Sequence, residues 1–177
     1  LSEFPTQTQW VFARLLDEFE RTSQEQKAAE KQLKEFAEND TLCKRLLSEP
    51  GIGLITTTVM RAEIADFNRF RTAKQLSRFC GLTPQNASSG SRQADAGMIR
   101  AGNPLLKTTI IEAAHRMLGK PEWREMVNRM KQNGKPYPVI ISTLANRWVR
   151  RLCWKMKEFQ CKAQVLHGGA ELESLLG

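Results

Sequence analysis

Two serines stand in a run of small and polar residues, Gly81-Leu-Thr-Pro-Gln-Asn-Ala-Ser-Ser-Gly90, and cations follow at Arg92 and Arg100. Such a run has little apolar surface to bury, so it predicts an exposed loop that presents a hydroxyl, from Ser88 or Ser89, among positive charges. A free serine hydroxyl is a weak nucleophile. It needs a base, a metal or strong stabilisation of the charge that develops in the transition state. Arg92 and Arg100 are placed to neutralise an attacked phosphate, a type of contact whose loss typically costs on the order of 10²–10³ in rate. The chemistry this predicts is attack on a phosphodiester.

Other chemistries have weaker support. A hydrolase triad of Ser89, His115 and Asp95 lacks the G-x-S-x-G elbow and the parallel sheet that carries it, and His115 falls mid-helix beside Ala113 and Ala114. Glu63 and Asp66 are spaced for one helix face, but two acids alone suit a salt-bridged surface equally well, and no carboxylate cluster offers a metal site. Cys43, Cys80, Cys153 and Cys161 contain no C-x-x-C pair and have only His115 and His167 beside them, which argues against zinc and against a disulfide framework. Buried, reduced thiols of a cytoplasmic protein are expected.

Charge separates the chain into two parts. Residues 1–40 hold five Lys/Arg against nine Asp/Glu, a net of −4, and residues 41–177 hold 22 against ten, a net of +12. An acidic arm on a basic body predicts a polyanion partner for the body, the alternative being an ordinary solvated basic surface. The 177 residues, 41% of them hydrophobic, suffice for one domain with an extended arm. No apolar run approaches bilayer length and no signal peptide opens the chain. It starts at Leu1 rather than Met, so a piece of a longer protein is expected.

The elements that must position the serines are helical. Phe12, Leu15, Phe19, Thr22, Gln26, Ala29, Leu33 and Phe36 recur at alternating steps of three and four, which predicts one helix over 7–38 with a heptad seam interrupted at Thr22 and Gln26. So narrow a seam favours a coiled coil over a solitary amphipathic helix. Asn39-Asp40-Thr41 offers a cap for a short helix over 42–47. Pro50-Gly51-Ile52-Gly53 then turns into a helix over 54–64. This turn resembles a helix-hairpin-helix motif, whose glycines let backbone N–H groups approach a phosphate at a helix N-terminus, although a plain helix corner would look the same. Thr72 caps a helix over 73–80, and Asn103-Pro104 starts one reaching Leu118 with Leu106, Ile110, Ala113, Ala114 and Met117 inward. Further helices are expected over 121–130 and 139–159. The last sets Leu144, Trp148, Leu152 and Met156 on one face and Arg147, Arg150, Arg151, Lys155 and Lys157 on a cationic side. No strand is predicted. The expected fold is all-α: a coiled-coil arm over 1–40, a helical serine-bearing domain over 41–160 and a tail over 161–177.

Pro50-Gly-Ile-Gly53, Glu63-Ile64, Phe67, Arg69-Phe70, Leu76, Gly81-Leu-Thr-Pro84, Ser88-Ser89-Gly90, Gly102-Asn103 and Leu106-Lys107 together resemble the C-terminal transposase domain of the IS one-ten insertion-sequence family, with its IS eleven-eleven branch and the related Piv-type DNA invertases. The likeness covers roughly residues 45–155 and implies a bacterial, nucleoid-associated DNA recombinase. Members join a magnesium-binding RuvC-like domain, a coiled coil and a domain whose serine forms a phosphoserine link to DNA, under the direction of a bridge RNA. The likeness makes residues 1–40 the coiled coil, through which the chain self-associates. It places magnesium in a RuvC-like domain outside these residues, so that no cofactor is expected in this chain and the isolated chain is expected to be inactive. The serine carried over is Ser89, before the glycine, with Ser88 as the alternative. Nucleic-acid contacts are expected at Gly51, Gly53, Arg92, Arg100, Asn103, Lys107, Arg147, Arg150 and Arg151. The segment from Ser91 to Arg100 holds fewer cations than the family pattern and adds Asp95, and Lys107 stands where arginine is common, which keeps the charge but loses the bidentate fork. The alternative function is a non-catalytic DNA- or RNA-binding module. A purely structural dimerisation protein leaves the +12 body unexplained.

Overall fold

The computed structural model describes the backbone of residues 4–89, 92–98 and 101–176, and side chains over 4–83, 98 and 101–165. The fold is all-α, with one β-hairpin inserted between the fourth and fifth helices.

Helix α1, Thr6–Asn39, has 34 residues and spans about 50 Å at 1.5 Å per residue. Only its last turns are packed, against α2 (Thr41–Leu47) and α3 (Leu54–Ile64), with Ala37 buried. Phe12, Leu15 and Phe19 of the seam are exposed, as are Trp10 and Leu16. Asp40 locks the α1–α2 corner. Its Oδ1 accepts from the Cys43 N–H at 2.8 Å and its Oδ2 from Arg61 Nε on α3 at 2.7 Å.

A single 3-10 turn, Phe67–Arg69, leads to α4 (Ala73–Phe79). Thr72 and Gln75 form a capping box there, each side chain meeting the other residue's backbone N–H. After the hairpin come α5 (Pro104–Met117), α6 (Pro121–Gln132) and α7 (Tyr137–Leu176). Asn103 caps α5 through Oδ1, accepting from the Leu106 N–H at 3.0 Å, with Pro104 in the first turn where its missing N–H costs nothing. The five apolar positions expected inward on α5 are all buried, as is the Leu144, Trp148, Leu152 and Met156 stripe of α7. These two faces meet, and Met60, Ile64, Phe67 and Leu76 close the core around them. Each such side chain removed from water contributes about 1.5–3 kcal/mol. Among the described residues, no helix is long and apolar enough to cross a membrane.

The structure corrects three expectations. Strands β1 (Pro84–Ser89) and β2 (Arg92–Met98) pair antiparallel where an irregular loop was predicted. Neither strand contains a β-branched or aromatic residue, so no propensity signal marked them. Helix α7 runs to Leu176 rather than ending at Phe159, through Gly168 and Gly169, because the surrounding Ala, Gln, Lys, Leu and Glu are good helix formers. Cys161 is exposed, whereas Cys43, Cys80 and Cys153 are buried, because position 161 falls two turns after Trp154 on the outward face of α7.

Candidate functional site

The hairpin is held at its two roots. On the β1 side, Asn146 of α7 donates to the Leu82 carbonyl at 2.8 Å and to Ser77 Oγ at 2.7 Å, while the Leu82 N–H reaches the Ser77 carbonyl at 3.0 Å. On the β2 side, the Asn103 N–H donates to the Phe79 carbonyl at 2.8 Å, and its side-chain amide donates to Glu63 of α3. Between the roots, Gly81 and Gly102 touch backbone to backbone. A Cβ on Gly102 would lie 2.6 Å from the Gly81 Cα, and both residues have positive φ, at 68° and 144°. Only glycine fits a contact of that kind in that conformation. The strands pair with one another and with little else among the described residues, Met98 at the β2 end being the side chain that packs on the core.

The register opposes Ser89 to Arg92 and Ser88 to Gln93, so Ser88 and Ser89 are residues of the last part of β1 rather than loop residues. The description of Ser88, Ser89 and Arg92 is of backbone alone, and Arg100 lies outside the described residues.

Other expected contacts fall into three places. Asn103 and Lys107 are at the hairpin root, where Lys107 Cδ lies 3.4 Å from the position a Cβ on Gly81 would take. A cleft of about 500 Å³ opens there, lined by Gln75, Arg78, Phe79, Ala101, Gly102 and Asn103. Arg78 had no sequence signal, because only the fold brings α4 beside the start of α5. Arg69 braces the same corner, 4.7 Å from the Phe70 and Phe79 ring centroids and donating to the Glu63 carbonyl at 3.1 Å.

Gly51 and Gly53 form the second place. Gly51 adopts φ 82° and faces inward, and a Cβ there would collide with the Met117 sulfur of α5. Gly53 begins α3 without a side-chain cap, and no acid occupies the first turn. Arg116 of α5 lies beside it, its guanidinium 3.4 Å from where a Gly53 Cβ would be. A cation next to the positive end of a helix is unfavourable unless an anion joins them. Sequence reasoning missed Arg116, which is 63 positions from Gly53.

The third place is α7. Arg147 and Arg150 are exposed and make no ion pair among the described residues. Arg151 pairs with Glu122 at 3.0 Å and lies over the Trp123 ring at 4.7 Å. Lys155 reaches Glu49 at 2.6 Å, and Arg45 takes the other oxygen at 2.7 Å. Burial alone would raise the Glu49 pKa, but the hydrogen bonds from Lys155 and Arg45 outweigh it and hold the carboxyl below its ordinary value.

His115 Nδ1 meets the Tyr137 hydroxyl at 2.9 Å on the surface. Glu63 is engaged by Asn103, and Asp66 accepts from the Asn68 N–H at 2.8 Å. Among the described residues, there is no group of three or more His, Cys, Asp or Glu that could hold a metal ion.

A sequence model of the family described as Transposase IS116/IS110/IS902 matches residues 43–128, which include the α2–α3 corner, the hairpin with both roots, and α5. The transposase for insertion sequence element IS1111A of Coxiella burnetii is 36% identical over 89 residues, covering 50% of this chain and 24% of that protein. A probable family 20 transposase of Pseudomonas aeruginosa is 28% identical over 146 residues, 80% of this chain and 43% of that protein. The IS110 insertion-element protein of Streptomyces coelicolor is 27% identical over 150 residues, 84% and 37% respectively. The chain thus spans less than half the length of these relatives. Residues 43–128, with the hairpin at their centre, are thus similar to the transposase domain of the IS116/IS110/IS902 family.

Proposed function

We propose that this domain binds DNA and that Ser89 cuts and rejoins it during transposition. In the cutting step the Ser89 oxygen bonds to phosphorus, one strand P–O bond breaks, the serine proton passes to a base and the leaving strand end takes up a proton. The phosphoserine conserves the ester, so a second hydroxyl can reverse the step on a new strand. The observation that carries this is the register, which sets the one cation of the ladder, Arg92, opposite Ser89 and sets Gln93 opposite Ser88. The doubly anchored roots fix where the hairpin that carries Ser89 leaves the helical body.

The rest of the reading concerns binding and partners. The open N-terminus of α3 with Arg116, and the cleft with Arg78 and Lys107, hold backbone phosphates. Magnesium belongs to a RuvC-like domain outside these residues, an RNA guides target choice, and the exposed seam of α1 joins copies of the chain.

The test is a denaturant-stable protein–DNA adduct formed by the longer protein that carries this domain. Ser89→Ala abolishes the adduct and leaves binding intact, whereas Ser88→Ala retains it. An adduct that persists in Ser89→Ala defeats the proposal. A second reading, a module that only grips nucleic acid, draws on the phosphate-ready α3 N-terminus. It predicts binding that weakens steeply with salt and no adduct in any variant.

A further inference from the structure

Four tryptophans occur in the chain, and two of them, Trp123 and Trp148, are core residues. Trp154 of α7 is not, for it is 61% exposed on the face opposite the Leu144, Trp148, Leu152 and Met156 stripe. Arg150 lies one turn before it and Arg147 two turns before it on that same exposed face. Lys157 follows, its ammonium 5.8 Å from the Trp154 ring centroid. The stripe begins beside Asn146, which anchors the hairpin root, and runs about 15 Å from Arg147 to Lys157 at 1.5 Å per residue.

We infer that Trp154, with Arg147, Arg150 and Lys157, is a stacking platform for an unpaired nucleic-acid strand leading away from the hairpin. The inference rests on the nucleic-acid reading above and names the form of ligand this face takes. A ring held among cations attracts a base by its π face while the flanking charges follow the phosphates. Paired bases are already stacked within a duplex and offer a side chain no such face. A protein partner fits less well. Protein interfaces have cores depleted in charge and cover about 800 Å² on each side, whereas this face carries one large apolar group flanked by Arg147, Arg150 and Lys157, the nearby acid Glu158 being paired with Lys162.

The test uses the whole chain with Trp10→Phe, which removes the exposed tryptophan of α1; Trp154 is then the exposed tryptophan that reports by fluorescence, over a background from buried Trp123 and Trp148 that Trp154→Ala measures. The probes are a thymidine homopolymer and a duplex of equal length, each titrated at several salt concentrations. The single strand quenches Trp154. Trp154→Ala lowers single-strand affinity on the order of tenfold and changes duplex affinity little, while Trp154→Phe keeps most of the binding. Arg150→Gln reduces the salt slope, and Trp154→Ala does not. Equal losses for both probes, no loss for either, or a change in sedimentation of Trp154→Ala without nucleic acid would overturn the inference. If duplex binding and the Ser89 adduct persist through such a result, only the platform has failed. If the chain binds neither probe, the nucleic-acid reading has failed with it.

Discussion

Asn103 joins two helices that are remote in sequence: its Oδ1 caps α5, and its amide donates to Glu63 of α3, 40 positions earlier. The same residue's backbone N–H holds the Phe79 carbonyl. One residue therefore sets where α5 begins, holds the end of α4 and ties α3 to both.

Asn103→Ala will cost about 1–2 kcal/mol in urea unfolding from the lost cap and from the donor taken from Glu63. Glu63→Gln will cost less than Glu63→Leu, because its amide oxygen still accepts. The double variant Asn103→Ala with Glu63→Leu will fall short of the two separate losses, and strict additivity would show that the pair is uncoupled.

Acid will weaken the body through two carboxyls. Burial pushes both Asp40 and Glu49 upward, but hydrogen bonds from Arg61 and the Cys43 N–H, and from Lys155 and Arg45, more than reverse it, leaving each below its ordinary pKa. A carboxyl depressed in the folded state contributes its full stability above its unfolded value, near 4, and loses it as pH falls through the folded value. Unfolding midpoints will hold from pH 7 to about 5 and then decline. Asp40→Asn with Glu49→Gln will be less stable at neutral pH and will flatten that decline.

One of the four cysteines will react with a thiol reagent in the native state. Cys161 is exposed, whereas burial raises the Cys43 thiol to about 11 and the Cys80 thiol to about 12. Mass spectrometry of the native labelled chain will find a single adduct that Cys161→Ser removes, and denaturant will release the other three.

The chain will self-associate through α1. Phe12, Leu15 and Phe19 stand on an exposed face with no partner helix among the described residues. Leu15→Glu with Phe19→Glu will shift sedimentation to the monomer and leave the unfolding transition of the body in place, since neither residue touches it. An unchanged sedimentation coefficient would assign the seam some other role.

What was legible in the sequence was local. The period of α1, the Asp40, Thr72 and Asn103 caps, and the inward faces of α5 and α7 follow from side chains near in sequence, and the structure matches them closely. The site was legible as a motif and not as a geometry. Pro84–Ser89 and Arg92–Met98 are strands because they pair with each other, a property that no small polar residue displays alone. The meetings of Arg116 with Gly53, Arg78 with the hairpin root and Glu63 with Asn103 are products of chain return, and spacing along a sequence does not encode them.

The contact between Gly81 and Gly102 has a consequence for how such a protein can diversify. The chain leaves the helical scaffold and re-enters it at one point, so the stretch between Leu82 and Met98, the two side chains that pack on the core, is a cassette. Its length and residues can be rewritten without moving the scaffold, provided the two entry points keep their shape. New chemistry at the tip and conserved architecture beneath it are therefore compatible outcomes of the same junction.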